Sequence, residues 1–198
     1  MFIVVLNGPA GSGKDTIGHI LARHYNYEAL SFKGRIFEIA KSVLGADMYP
    51  TFMALYNNRD TKEKPSELLG GMSPRRFFIR ISEEWIKPTF GERYFGEILA
   101  RQAKVIVDRP RNWGDPGQGM QVPRPCVVTD GGFREEMEAV MSLVPQTRVV
   151  RLYREGCSFD GDSRNYVYGL PGFSVQIEEG QPRKAAEYIH SVMTEMQW

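Results

Sequence analysis

The chain has 198 residues, 42% of them hydrophobic, and its 25 basic and 24 acidic residues give a net charge of +1. This length suits one substantial core, and the near-neutral charge gives no general attraction for nucleic acid or an anionic membrane. The two cysteines form no Cys-x-x-Cys pair and no apolar run approaches the roughly 20 residues of a membrane span, which argues against disulfide stapling, a zinc site and membrane insertion. We expect a single-domain cytoplasmic protein.

The first predicted elements are a strand, a turn and a helix. Residues 2–6 form a continuously apolar run, which is typical of a central strand buried on both faces. A glycine-rich turn follows, and apolar residues then recur at helical spacing as far as Asn26. A second strand is predicted at 29–32 and a second helix at 35–44, with Gly45 as its end.

The middle of the chain alternates between helices and polar loops. Residues 57–66 are polar without periodicity and predict an exposed loop. Ser73 followed by proline is typical of a helix start, and that helix is predicted to reach about Trp85. Another helix is predicted over about 92–107. The segment 108–125 contains four prolines and three glycines, which predicts a long loop.

The last third of the chain alternates strands and helices. In order, we predict a strand at 126–129, a helix at 133–143, a strand at 148–153, a short strand at 174–177 and a helix at 182–196. Residues 155–172, named here the lid segment, are polar and rich in glycine. Strands that alternate with helices predict a parallel sheet between two helical layers, a three-layer α/β/α sandwich.

The turn after the first strand has the composition of a phosphate-binding P-loop. Its residues are Gly8, Pro9, Ala10, Gly11, Ser12, Gly13, Lys14, Asp15 and Thr16. The glycines allow backbone N–H groups to converge, and the helix N-terminus adds positive partial charge at the same point. These residues predict ATP binding in a P-loop NTPase fold, with Lys14 contacting the β- and γ-phosphates during catalysis.

The P-loop departs from the usual pattern, which places Ser or Thr directly after the lysine. Here Asp15 takes that place and Thr16 follows, an offset that nucleoside monophosphate kinases often show. Thr16 is the predicted Mg²⁺ ligand, directly or through water. Asp15 either reaches the metal or stabilises the first helical turn. Asp130, at a strand end, either holds a magnesium-bound water or caps a helix.

Arginines on the helix that begins at Ser73 indicate an anionic acceptor. Arg76 and Arg80 lie four residues apart, where like charges repel each other unless an anion lies between them. The alternative is that Arg80 pairs with Glu84 on a solvated face. Four aromatic residues near this helix either stack on a base or belong to the core: Trp85, Phe90, Tyr94 and Phe95.

Arginines also flank the lid segment. Arg154 precedes it and Arg164 lies within it, among glycines that would allow the segment to close over phosphates. Phosphoryl transfer requires the exclusion of water, because an open site would allow the γ-phosphoryl group to pass to solvent. The segment is therefore either a lid that carries catalytic arginines or an ordinary surface loop.

Several segments together resemble the phage-type deoxynucleoside monophosphate kinases. The matching residues are Ser12-Gly13-Lys14-Asp15-Thr16, Asn58-Arg59-Asp60, Ser73-Pro74-Arg75-Arg76, Phe90, Arg93-Tyr94, Val127-Val128-Thr129-Asp130, Glu136-Met137 and residues 149–164. The resemblance implies a P-loop fold, ATP and Mg²⁺, a deoxynucleoside monophosphate acceptor, often a homodimer, and the cytoplasm of a phage host as location. It assigns a helical acceptor-binding insertion to about 45–107.

By position, the resemblance assigns acceptor binding to Arg59 and Arg76 and lid roles to Arg154 and Arg164. Relatives usually carry an arginine where this chain has Gly132, so either Arg134 or a lid residue replaces it or the contact is lost. Relatives also tend to carry a lysine near Phe37, for which Lys33 or Arg35 is the candidate substitute. The predicted acceptor-binding residues are Lys33, Arg35, Arg59, Arg75, Arg76, Arg80, Trp85, Tyr94 and Asp130.

The prediction is therefore transfer of the γ-phosphoryl group of ATP to a deoxynucleoside or nucleoside monophosphate. The acceptor oxygen is already ionised near neutral pH, so no general base is required. Two alternatives stay open: a P-loop kinase for another small phosphorylated metabolite, and a non-catalytic ATP-binding switch protein.

Overall fold

The computed structural model describes residues 1–108, 123–162 and 164–196, so most of the loop predicted at 108–125 lies outside the described residues. The chain divides into two compact units. The sheet unit comprises Met1–Phe32 and Gly96–Trp198, and the helical unit comprises Lys33–Phe95. No helix among the described residues has the length and apolar character needed to cross a bilayer.

The sheet unit is built on parallel strands. Within the described residues these are β1 (Ile3–Asn7), β2 (Glu28–Leu30), β3 (Cys126–Gly131), β4 (Thr147–Arg154) and β5 (Gly172–Ile177). Their order across the sheet is β2-β3-β1-β4-β5, and every pair is parallel. All five residues of β1 are buried, which confirms the central strand predicted from the apolar run at 2–6.

The helices of the described residues are α1 (Lys14–Tyr25), α2 (Gly34–Asn57), α3 (Pro74–Ile79), α4 (Lys87–Phe90), α5 (Tyr94–Val107), α6 (Arg134–Leu143) and α7 (Pro182–Glu195). Alternate residues of β1 face opposite sides of the sheet. Val4 and Leu6 pack with α1 and α7, whereas Ile3 and Val5 pack with α5 and α6. The predicted three-layer α/β/α sandwich is therefore confirmed.

The strand order creates a crevice at the carboxyl ends of β1 and β4. After β1 the chain continues to β2, toward one edge of the sheet, whereas after β4 it continues to β5, toward the opposite edge. Ligands of open α/β sheets bind at such a reversal, outside the carboxyl ends of the strands. The glycine-rich turn follows β1 and the lid segment follows β4, so both begin at this crevice.

The helical unit has its own core, and α2 supplies much of it. The predicted helix end at Gly45 is visible as a break, because Gly45 has φ 73° and ψ 172°. The chain then resumes a helix to Asn57, which the sequence analysis missed. The signal was present, since Tyr49, Phe52, Met53 and Tyr56 have the spacing of one helical face, and these residues pack in the core of this unit.

The helix predicted to run from Ser73 to Trp85 is confirmed at its start. The Ser73 hydroxyl accepts a hydrogen bond from the backbone N–H of Arg76 at 3.2 Å, as an N-cap does. The α-helical geometry then gives way to a π-helix over Arg80–Ile86. Pro88 explains the wider turn, because in a regular α-helix its ring would clash with the carbonyl of Glu84.

The helical unit overlaps the insertion predicted at about 45–107 but has other bounds. It already includes Lys33, and it ends at Phe95 rather than after α5. The remaining part of α5 belongs to the sheet unit because Leu99, Ala100 and Ala103 are buried in the sheet's core. The role of the helical unit in acceptor binding stays a prediction.

We expect Phe52→Ala to destabilise the protein by about 3–5 kcal/mol, because Phe52 is fully buried among Phe77, Phe78 and Tyr56 and its removal leaves a cavity. The matched control is Met48→Ala, which removes a side chain from an exposed position of the same helix and should change stability by less than about 0.5 kcal/mol. Chemical denaturation measures both, and equal effects would contradict the packing described for α2.

We expect stability to fall as the pH drops below about 6.5, because burial lowers the pKa of His190 in the folded protein. Between that lowered pKa and 6.5, the unfolded chain binds more protons than the folded one, so acid favours unfolding. His190→Gln should flatten the pH dependence of thermal unfolding measured between about pH 8 and pH 5. Met48→Ala, which removes no titratable group from an exposed position, is the control that should leave it unchanged.

Candidate phosphate-binding site

The turn between β1 and α1 has the backbone shape of an anion cradle. Gly11 and Gly13 have φ values of 79° and 91°, a region that side chains disfavour. Gly13 is the N-cap of α1 and supplies no capping side chain, so the N-terminal N–H groups of the helix face the turn without one. Backbone N–H groups and the helix dipole together favour a bound phosphate at this point.

The start of the turn is closely packed. A Cβ at Gly8 would lie 2.7 Å from Ser12 Oγ and 3.0 Å from the carbonyl oxygen of Leu152, so only glycine fits where β1 passes β4. Ser12 is fully buried, and its hydroxyl has no hydrogen-bond partner within the described part of the chain. A buried hydroxyl without a partner is unfavourable by itself, and a phosphate oxygen placed in the turn would satisfy it.

Lys14 is held over the same turn. Its side chain is 9% exposed, and Nζ donates hydrogen bonds of 2.6 Å to the carbonyl oxygens of both Gly8 and Pro9. A buried ammonium requires such partners, because its desolvation is otherwise costly. The structure thus gathers Gly8, Gly11, Ser12 and Lys14 at one point, in the context that the P-loop prediction required.

Arg154, which directly precedes the lid segment, contacts this turn. Arg154 Nη1 donates a 3.0 Å hydrogen bond to the carbonyl oxygen of Gly11, and Nη2 contacts Glu179 at 2.8 Å. Arg164 forms a two-point ion pair with Asp162. Both arginines line a cavity of about 650 Å³ that the lid segment forms with the ends of β4 and β5. The same lining carries Glu155, Asp160 and Asp162, so the cavity holds both arginines and carboxylates.

Two polar side chains on neighbouring strands hold the middle of the lid segment, and the sequence analysis missed the role of Asn7. The Asn7 side chain donates to the carbonyl oxygen of Asn165 at 3.0 Å and accepts from the N–H of Val167 at 2.9 Å. Arg151, its neighbour on β4, donates to the carbonyl oxygen of Val167 at 3.2 Å. For Asn7 the only sequence signal was a polar residue at the end of an otherwise apolar strand. β4 carries several other polar residues, so Arg151 does not stand out there.

The residues predicted to bind magnesium lie on different elements of the sheet unit. Asp15 and Thr16 are exposed on the first turn of α1. The Asp130 carboxylate accepts hydrogen bonds from Ser31 Oγ at 2.7 Å and from the N–H of Phe32 at 3.0 Å. Magnesium in kinases is usually held by one or two protein oxygens and the nucleotide's phosphates, and an exposed threonine hydroxyl suits that arrangement. Within the described ranges, no cluster of three His, Cys, Asp or Glu side chains could hold a metal.

The arginines of the helical unit are engaged in exposed pairs. Arg75 contacts Glu63 at 3.3 Å, and Arg76 forms an ion pair with Glu84. The alternative pairing of Arg80 with Glu84 is therefore wrong. Arg80 Nη1 instead approaches Met72 Sδ at 3.8 Å, because Arg76 already holds that carboxylate.

The other predicted acceptor residues of this unit are spread over several elements. Arg35 on α2 pairs with Glu38 at 2.6 Å, and hydrogen bonds to Glu38 and Tyr94 raise its pKa. Lys33 is the N-cap residue of α2, and Arg59 is exposed in the polar loop. The acceptor-binding roles of these residues stay predictions.

A second cavity lies within the helical unit, and the π-helix builds much of its wall. Its volume is about 370 Å³, and its lining includes Met72, Phe77, Arg80, Ile81, Glu84 and Trp85. Trp85 is half exposed, whereas Phe95 is buried in the core and Tyr94 stacks on Phe90 with ring centroids 5.0 Å apart. Of the four aromatic residues proposed for stacking, Trp85 is the one that lines this cavity.

Comparison with known proteins supports the fold. No family model and no curated protein sequence matches the chain. Among solved structures, a candidate kinase from Chloroflexus aurantiacus matches 99% of this chain and 97% of its own, with a TM-score of 0.51 and 12% identity. At this identity the likeness concerns the fold alone, a five-stranded parallel sheet between two layers of helices.

Two further solved structures align at lower TM-scores. A sugar kinase from Janibacter sp. HTCC2649 matches 96% of this chain and 93% of its own, with a TM-score of 0.48 and 12% identity. A shikimate kinase from Acinetobacter baumannii matches 100% of this chain and 96% of its own, with a TM-score of 0.45 and 13% identity.

We expect Ser12→Ala to stabilise the ligand-free protein by about 1 kcal/mol while weakening its affinity for Mg-ATP. The substitution removes the buried unpaired hydroxyl and also the group that would contact a phosphate. Thermal unfolding with and without Mg-ATP, together with calorimetric titration, measures both effects. Ser191→Ala, on the exposed side of α7, serves as control. A loss of stability in Ser12→Ala would contradict the assignment of an unsatisfied hydroxyl.

Proposed function

We propose that this chain is an ATP-dependent kinase whose acceptor is a small metabolite that already carries a phosphate. One observation carries the proposal: a buried, unpaired hydroxyl and a buried lysine meet at a glycine turn that begins a helix. This combination of helix N-terminus, glycine backbone and ammonium suits the terminal phosphates of a nucleoside triphosphate. Magnesium would neutralise the phosphates, with Thr16 as a protein ligand.

The arginines beside the turn favour catalysis over a switch that only binds ATP. Arg154 contacts the turn directly, and Arg164 lines the same cavity. Phosphoryl transfer places negative charge on the transferred group and on both flanking oxygens, and catalysis consists mainly of neutralising and positioning that charge. A switch protein requires the phosphate cradle but has no use for a pair of arginines under a closing segment.

The helical unit supplies the positive charge proposed for the acceptor. Arg75 and Arg76 lie in successive positions at the start of α3, and Arg80 follows one turn later. The pairs of Arg75 with Glu63 and of Arg76 with Glu84 are exposed, and exposed pairs contribute only about 0–1 kcal/mol each. An acceptor phosphate, which forms stronger charge-assisted hydrogen bonds with arginine, can replace those carboxylates at little cost.

Within this class, we propose a nucleoside monophosphate as the acceptor, and we expect deoxynucleoside monophosphates to be the preferred substrates. The cavity of about 370 Å³ beside Arg80 has Trp85 and Phe77 in its wall, and aromatic rings stack on bases. The resemblance to phage-type deoxynucleoside monophosphate kinases supports the same acceptor. Another phosphorylated metabolite is the second candidate, because the Glu84 carboxylate in that wall would equally accept hydrogen bonds from sugar hydroxyls.

The deciding experiment incubates the protein with Mg-ATP and a panel of deoxynucleoside monophosphates, nucleoside monophosphates, sugar phosphates and sugar acids. Products are separated by ion-exchange chromatography, and we expect ADP and a nucleoside diphosphate in equal amounts. Lys14→Ala should reduce turnover at least about a hundredfold while the thermal unfolding temperature stays close to that of the wild type. Lys41→Ala, an exposed lysine of α2, should retain activity.

The outcomes separate the candidates. A second phosphate on a sugar phosphate, with ADP as the only nucleoside diphosphate formed, would establish the second candidate and overturn the nucleotide acceptor. Transfer to an unphosphorylated sugar acid would overturn the requirement for a phosphate on the acceptor. ATP binding without transfer to any compound would favour the switch protein. Absence of any affinity for Mg-ATP would overturn the proposal entirely.

Trp85 gives a test of the base. In the nucleotide assay, Trp85→Ala should raise KM for the monophosphate roughly tenfold, because stacking on one base contributes about 1–3 kcal/mol. Trp85→Phe keeps an aromatic face and should retain most of the affinity. An unchanged KM in Trp85→Ala would show that the base binds elsewhere.

A further inference from the structure

Residue 132, directly after β3, is a glycine at a position where a side chain would clash with its neighbour. A Cβ at Gly132 would lie 2.6 Å from Cγ and 3.0 Å from Cβ of Arg164, and closer still to Cδ. Gly132 does not have a left-handed backbone conformation, so no strained turn requires the glycine. The aliphatic part of Arg164 therefore lies directly on the backbone of residue 132, in the space that any other side chain there would need.

The guanidinium group of Arg164 is also held in place, by Asp162. Nε and Nη2 donate to the two carboxylate oxygens of Asp162 at 3.0 and 2.6 Å, and the Arg164 backbone N–H donates to the same carboxylate at 3.1 Å. The two side chains are only 20% and 14% exposed. A two-point contact with a carboxylate fixes the plane of the guanidinium group, which one hydrogen bond would not do.

The position of this arginine relates it to the phosphate cradle. Gly132 comes directly after Gly131, which pairs with Asn7, and the P-loop begins at the residue after Asn7. Arg164 also lines the cavity that Arg154 shares, and Arg154 contacts the Gly11 carbonyl. The guanidinium is thus fixed at the carboxyl edge of the sheet before any ligand binds. A preorganised charge requires less rearrangement when negative charge develops during a reaction.

We infer that Gly132 and Asp162 are positioning residues that hold Arg164 for the phosphoryl transfer proposed above, on which this inference rests. Gly132 leaves space for the aliphatic part of the Arg164 side chain, and Asp162 orients its guanidinium group. A methyl group at residue 132 would displace the arginine without removing any charge from the protein. This distinguishes the inference from a general need for positive charge near the phosphates.

The first arm of the test measures stability and needs no substrate. Gly132→Ala should lower the thermal unfolding temperature in the wild-type background, and the loss should shrink by at least about half in an Arg164→Ala background, because the obstructing side chain is gone. Gly34→Ala is the matched control, since no atom lies within 4 Å of a Cβ built there. An equal loss in both backgrounds would overturn the contact between Gly132 and Arg164.

The second arm measures turnover on the acceptor that the panel identifies. Gly132→Ala and Arg164→Ala should each lower kcat by a similar factor, roughly ten- to a hundredfold, while KM for ATP changes less than about twofold. The double variant should be no slower than either single variant, because both act through one guanidinium. Asp162→Asn should lower kcat by a smaller factor, since an amide keeps one of the two contacts.

The two arms separate failure of this inference from failure of the proposed function. If Arg164→Ala is slow but Gly132→Ala has normal kcat, the positioning role is overturned while the kinase activity stands. If the wild-type chain phosphorylates no acceptor, the proposed function and the catalytic part of this inference both fail, and the stability arm still decides whether Gly132 seats the arginine.

Discussion

The close passage of β1 beside β4 is the constraint on which the site depends. Gly8 lies so near Ser12 Oγ and the Leu152 carbonyl that a side chain there would clash, and the turn of residues 8–13 then leads into α1. That turn directs Lys14 back onto the Gly8 and Pro9 carbonyls and isolates the Ser12 hydroxyl from every described partner. The fold gives up hydrogen bonding at one buried group, as expected where a ligand completes the site.

The sequence predicted the sheet unit well because its signals are local. The apolar run of β1, the glycines of the turn and the alternation of strands and helices each depend on neighbouring residues. The helical unit was harder to predict. The second half of α2 has a clear apolar face from Tyr49 to Tyr56, but Gly45 and Pro50 indicate a break more strongly than the spacing indicates a helix. The π-helix before Pro88 has no recognisable periodicity of its own.

The candidate site also has one part that the sequence could predict and one part that it could not. The P-loop residues could be predicted because they are consecutive, whereas the contacts of Asn7 with Asn165 and Val167 join positions about 160 residues apart. The pairing of surface charges could not be predicted from the sequence either. Glu84 lies four residues from Arg80 yet pairs with Arg76, because the π-helix changes which side chains lie on one face. Sequence spacing assumes a regular helix, and here that assumption fails.

The anchoring of Asn165 and Val167 limits how far the lid segment can travel. With the chain tied at Arg154 by β4 and at Asn165 by Asn7, only residues 155–164 remain between two fixed points. Ten residues have a contour length of about 35 Å, and a loop attached at both ends extends at most about half of that from its base. Such a tether keeps residues 155–164 close to the turn that Arg154 contacts, so its reach is short. Any larger excursion would first have to break the hydrogen bonds that Asn7 makes with Asn165 and Val167.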